Sequence, residues 1–135
     1  MLTEGDVIHR VITFFEKNGY KIVDQKNTSQ QGYDIVAEKE GKRTYIEAKG
    51  QTSSKPHSNR YGKEFTSNQK WDHVSKAVYT AMKTLKKEGN CDAGIALPAD
   101  DVHMRLINDI YPSLHALTIE VYLVHESGIV QMYSP

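Results

Sequence analysis

Apolar residues recur with different periods along this chain, and the switches between periods mark its elements. Val7, Ile8, Val11, Ile12, Phe14 and Phe15 repeat at helical spacing behind Thr3, which with Asp6 reads as a capping box. Asn18 and Gly19 stop the pattern, so a first helix is predicted over residues 4–18. Tyr20, Ile22 and Val23 then form a short strand, residues 27–32 a polar turn, and residues 33–39 a second strand. Gly41, between Glu40 and Lys42, makes a tight hairpin into a third strand over residues 44–49.

From residue 50 to 65 the periodicity disappears into Gln, Ser, Pro, His, Asn and Gly, with Lys55, His57, Arg60 and Lys63 interleaved with Tyr61 and Phe65. A long mobile loop is expected there, and loops of this length in a small domain tend to carry function. A second helix starts near Thr66 and Ser67, places Val74, Ala77, Val78, Ala81, Met82 and Leu85 on one face, and ends in the KKEGN segment, where Lys86 and Lys87 suit the negative end of its dipole. Residues 93–97 read as a buried strand, followed by a helix capped by Asp100 or Asp101 and by strands over 119–124 and 129–133. Pro112 is expected to break or restart that third helix near Tyr111, since it cannot donate to residue 108. The order α, three β, α, β, α, β, β predicts an α/β architecture with a mixed sheet flanked by helices.

Composition narrows the picture. At 135 residues the expectation is one domain over residues 1–135. A formal net charge of zero and a hydrophobic fraction of 39% exclude a disordered chain and a bulk polyanion binder, so any nucleic-acid site must be a local patch. A lone Cys91 forms no intramolecular disulfide, and neither a signal pattern nor a bilayer-length apolar run is present, which together predict a cytoplasmic protein without a membrane partner. Cys91 and Trp71 are expected to pack, and His9, His103, His115 and His125 have no zinc spacing. The phosphate-loop, nucleophile-elbow and HExxH patterns are absent.

The chemistry concentrates in residues 32–50, GYDIVAEKEGKRTYIEAKG. Strand alternation puts Glu47 and Lys49 on one face, and Asp34 on the preceding strand reaches the same place if the register allows. Two close carboxylates repel, raising one pKa, unless a cation lies between them. Hard oxygen ligands of this kind favour Mg²⁺ or Mn²⁺, with Lys49 as a compact positive charge for a phosphate. Glu4 shares a helical stripe with Ile8, Val11 and Phe15, although a first-turn acid also complements the helix dipole. On the second helix Gln69, His73, Lys76 and Thr80 occupy one narrow polar sector, although Gln69 also completes a capping box with Thr66.

Gly32-Tyr33-Asp34 followed by Glu47-Ala48-Lys49 at the end of the next strand, within the order α, three β, α, β, resembles the PD-(D/E)XK nuclease superfamily, the restriction-endonuclease-like fold. The resemblance covers residues 1–98, with the remainder as an extension of the sheet, and departs from the motif in having Tyr33 where a proline precedes the aspartate. It implies Asp34 and Glu47 as ligands of Mg²⁺ or Mn²⁺, the Ala48 carbonyl as a further ligand and Lys49 as the catalytic lysine. By analogy with subfamilies, Glu4 is a supplementary acidic metal ligand and Gln69 a further catalytic residue. The activity implied is metal-dependent hydrolysis of DNA phosphodiesters by an endonuclease-like enzyme. Lys55, Arg60, Lys63, His73 and Lys76 are candidates for contact with nucleic acid. The small size suggests a homodimer or a larger repair or defence assembly. The alternative is a non-catalytic module, binding nucleic acid or protein, that keeps the nuclease fold.

Overall fold

The computed structural model describes residues 1–25, 32–53, 55–59 and 61–134. Its elements run α1 (Glu4–Lys17), β1 (Lys21–Gln25), β2 (Ile35–Lys39), β3 (Lys42–Ala48), α2 (Ser67–Glu88), β4 (Asp92–Pro98), α3 (Asp101–Ala116), β5 (Ile119–Val124) and β6 (Val130–Met132). This is the predicted order, with the polar turn of residues 27–32 falling outside the described residues except for Gly32.

The six strands form one sheet in sequence order, antiparallel from β1 to β3, parallel from β3 to β5, and antiparallel again at β6. The β2–β3 hairpin closes through Glu40 and Gly41, both at positive φ (53° and 79°), the two-residue turn whose twist matches paired strands. The parallel pairs require crossovers, and α2 and α3 supply them on one face while α1 covers the other. Pleat alternation sorts the core accordingly. Ile35, Ala37, Ile46, Ala48, Tyr122 and Val124 meet Val7, Val11 and Phe15 of α1. Ile95, Leu97, Val121 and Leu123 meet Val74, Ala77, Ala81, Ile107 and Leu114 of α2 and α3.

Two expectations change. Asp34 stands just before β2 instead of inside it, with consequences for the site. Pro112 neither breaks nor restarts α3, which runs unbroken from Asp101 to Ala116. Pro112 and Asn108 both lie on the exposed side of the helix, where water can bond the Asn108 carbonyl left without a donor.

All three helices among the described residues begin at the same end of the molecule. α2 follows β3 and α3 follows β4, so both start at the C-terminal ends of the parallel strands. The start of α1 joins them because Gly50, just beyond β3, lies under residues 2–4: a Cβ at Gly50 would fall 2.4 Å from the Glu4 nitrogen and 2.6 Å from the Thr3 carbonyl carbon. Gln51 locks this approach, its N–H donating to Leu2 O and its Oε1 accepting from Leu2 N–H, both at 2.8 Å. The carboxyl ends of parallel strands, ringed by helix N-termini, are where open α/β sheets bind ligands.

Candidate active site

The β2–β3 ladder stops at Ile35↔Ile46. One residue beyond it, the Asp34 side chain takes over as acceptor: its Oδ2 receives the Ala48 N–H at 2.8 Å, and the carboxylate is 2% exposed. On its other side β3 ends just as firmly. Ala99 N–H bonds Val124 O on the β5 side, so Pro98 faces β3, where it has no N–H to give. The β3–β4 pairing therefore closes with Lys49 N–H on Ala96 O (3.0 Å), and the chain is free to turn at Gly50.

Ile46 and Ala48 belong to the α1-side core, so Glu47 and Lys49 project toward α2. Glu47 is half-buried and hydrogen-bonded to Asp34. Burial pushes its carboxyl up, the bond to Asp34 and the Asp34 charge push the same way, and Lys49 lowers it while the Glu4 charge raises it. The outcome is a carboxyl that holds its proton to about pH 8. Among the described residues no three His, Cys, Asp or Glu side chains come close enough together to hold a metal by themselves. The pair of oxygen donors that does meet is Asp34 and Glu47, and one or two carboxylates plus phosphate is the usual protein share of a Mg²⁺ site.

Glu47 and Lys49 open into a groove of about 530 Å³ whose far wall is α2, lined by Asp72, Ser75, Lys76, Tyr79 and Thr80. Lys76 and Thr80 of the predicted polar sector therefore share the groove with Glu47 and Lys49. His73 is drawn inward instead, half-buried with its ring edge-on to Phe65 at 4.7 Å, and burial followed by the Lys49 charge lowers its pKa. Gln69 closes a capping box: its Oε1 accepts the Thr66 N–H at 2.8 Å while Thr66 Oγ1 accepts the Gln69 N–H. Tyr33, in the place of the motif proline, packs on Tyr45 with ring centres 4.6 Å apart and donates to Glu88 at the end of α2 (2.7 Å).

The loop after β3 is more tied down than its composition suggests. Gln51 and Thr52 are buried, Thr52 Oγ1 donates to Lys63 O at 2.7 Å, and Phe65 N–H donates to Gln51 O at 2.8 Å. Lys55, His57 and Lys63 are exposed, and Arg60 lies outside the described residues. Beneath this loop is a polar cluster that no local pattern announces. Lys70, 1% exposed, donates to Glu64 and to Asp100. Asp100 also accepts from Gln51 Nε2 (3.1 Å), from the His103 backbone N–H (2.9 Å) and from His103 Nδ1 (2.8 Å). Burial alone would raise the Asp100 carboxyl, but His103 and Lys70 outweigh it and hold it well below the ordinary carboxylate range. The members come from four separate segments, so sequence patterns could identify only Asp100, as a helix cap.

No family model and no curated sequence matches the chain. Its fold is similar to two solved structures. An XisH family protein from Nostoc punctiforme PCC 73102 aligns over 95% of this chain and 98% of its own with TM-score 0.58 and 13% identity. An fdxN element excision controlling factor protein from Anabaena variabilis aligns over 96% and 99% with TM-score 0.57 and 19% identity. The likeness at these identities is one of fold. The mixed six-stranded sheet, its strand order and its flanking helices agree with the nuclease-like architecture expected from the motif.

Proposed function

We propose that this protein is a metal-dependent nuclease that hydrolyses DNA phosphodiester bonds at the Asp34, Glu47 and Lys49 cluster. The observation that carries this reading is the hydrogen-bonded contact between the buried Asp34 and the half-buried Glu47, with Lys49 just beyond β3 beside a groove that Glu47 also lines. Two carboxyl groups are costly to bury together, and a cation brought to them would relieve that cost.

In this reading Asp34 and Glu47 hold Mg²⁺ or Mn²⁺, with the Ala48 carbonyl as a further ligand and Glu4 adding negative potential from α1. A divalent ion so held supplies a water of lowered pKa and neutralises phosphate charge. Asp34 is held in place by the Ala48 N–H. Glu47 gives up its proton to become a ligand, and Lys49 sets its ammonium against the charge that accumulates on the phosphate in the transition state. Lys76, across the groove, contacts the substrate backbone, and Lys55, Arg60 and Lys63 extend that contact along the loop. Gln69 serves the reaction indirectly, by capping the helix that forms the groove wall.

The test is cleavage of labelled duplex, single-stranded, flapped and RNA substrates with Mg²⁺ or Mn²⁺, comparing the native protein with Asp34→Ala and Lys49→Ala. Metal-dependent cutting that EDTA abolishes, and that each substitution lowers on the order of a thousand-fold, is expected. Absence of cutting by all three proteins, with equal DNA binding, would leave a binding module with a nuclease fold.

A further inference from the structure

The crest of α2 carries two large aromatic side chains in solvent. Trp71, expected to pack, is 57% exposed, and Tyr79 is 66% exposed. They lie eight residues apart on either side of Ser75, which borders two grooves. On one side Tyr79 overhangs the groove of Glu47 and Lys49. On the other, Trp71 rims an apolar groove of about 370 Å³ between α2 and α3, with Val74, Val78, Leu106 and Ile110.

The charge along α2 is weighted toward cations, with Asp72 next to Trp71 and Asp109 across the apolar groove as the acids near the rings. In a chain of zero net charge, α2 alone holds Lys70, Lys76, Lys83, Lys86 and Lys87 against Asp72 and Glu88. Lys70 is buried in the cluster with Asp100, but the other four are exposed, and Lys83 Nζ lies 5.5 Å from the centre of the Tyr79 ring. Exposed rings interleaved with cations are the two ingredients of a surface that takes unpaired nucleotides: the rings stack on bases of any sequence and the ammonium groups follow the phosphates. A duplex keeps its bases stacked on one another and offers this convex crest only phosphates, for which rings are of no use. A protein partner would match the rings but has no need of cations leading into a carboxylate site.

We propose that the substrate strand of this site is single-stranded DNA, with bases stacked on Tyr79 and Trp71 as the backbone passes Lys76 and Lys83. The inference rests on the nuclease reading for its catalytic consequence but is measured through binding. Trp71 is the only tryptophan in the chain, so its fluorescence reports directly on the crest. Titration of the native protein in EDTA with oligo-dT is expected to quench Trp71 saturably, and a mixed-sequence duplex of equal length is not.

Tyr79→Ala and Trp71→Ala, followed by anisotropy of the labelled oligonucleotide, are each expected to weaken single-strand binding on the order of ten-fold, while Tyr79→Phe, which keeps the ring, binds like the native protein. Equal quenching by duplex, or native affinity in both alanine variants, would overturn the proposal. A Trp71 emission shift on raising protein concentration without DNA would overturn it too, by assigning the crest to a second copy of the chain. None of these outcomes touches the nuclease reading, which stands or falls on Asp34→Ala and Lys49→Ala.

Discussion

Two polar clusters are buried at the same end of this sheet, and they differ in whether their charges cancel. Under the loop after β3, the Lys70 ammonium lies between Glu64 and Asp100, and Asp100 collects further donors from Gln51 and His103. At the end of β3 itself, the Asp34 and Glu47 carboxyls meet each other, with Lys49 as a partial counterweight. The first arrangement stabilises its own ionised form, as the depressed Asp100 carboxyl shows, and the second opposes it, as Glu47 shows by holding its proton to about pH 8. A cluster whose charges close on each other favours its ionised form, whereas one left short of positive charge favours a neutral carboxyl.

Removing the central charge from the balanced cluster gives the largest expected effect. Lys70→Met should cost about 3 kcal/mol in chemical denaturation, because it leaves the Asp100 carboxylate buried without its ammonium. The unbalanced cluster should answer with the opposite sign. Glu47 is held protonated by the fold, so its unfavourable contribution is absent below the ordinary carboxylate range, grows as pH rises, and is complete above about 8. Glu47→Gln should therefore stabilise the metal-free protein on the order of 2 kcal/mol at pH 9 and by little at pH 4. Mg²⁺ or Mn²⁺ should raise the Tm of the native protein more at pH 8 than at pH 6 and leave Glu47→Gln nearly unmoved.

A subtler contrast comes from acid. The depressed Asp100 carboxyl contributes stability that is present above the ordinary aspartate pKa and lost as pH falls below it. Asp100→Asn should cost about 1.5 kcal/mol at pH 7, and the gap from the native protein should close in melts taken between pH 4 and pH 2. The smallest effect separates helix capping from catalysis. Gln69→Ala should lower stability by about 1 kcal/mol or less while leaving the cleavage rate within a few-fold, and a loss matching that of Lys49→Ala would move Gln69 into the reacting machinery.

Periodicity along the chain was sufficient for element order and for most of the buried face of α1, where Val11 and Phe15 are buried as the stripe predicts and Val7 is buried in place of Ile8, because these depend on residues three, four or two apart. It was sufficient as well to bring Glu47 and Lys49 onto one face and to set Lys76 and Thr80 in one sector of α2. Pro112 misled because local chemistry forbids a hydrogen bond only where water cannot replace it, and burial is not written locally. Trp71 misled for a related reason. Its type favours packing, yet its azimuth on α2 falls at the crest between two grooves.

Alternation and local spacing were enough to put Glu47 and Lys49 on one face and to mark the helix caps at Thr3, Thr66 and Asp100. Only the folded chain brings the start of α1 against Gly50 and the Glu4 charge near Glu47, makes Asp34 the acceptor for Ala48, and closes Gln51, Glu64, Lys70, Asp100 and His103 into one network. The physical reason is range. Propensity, capping and pleat act between near neighbours, whereas desolvation and charge balance depend on whatever the whole fold brings alongside.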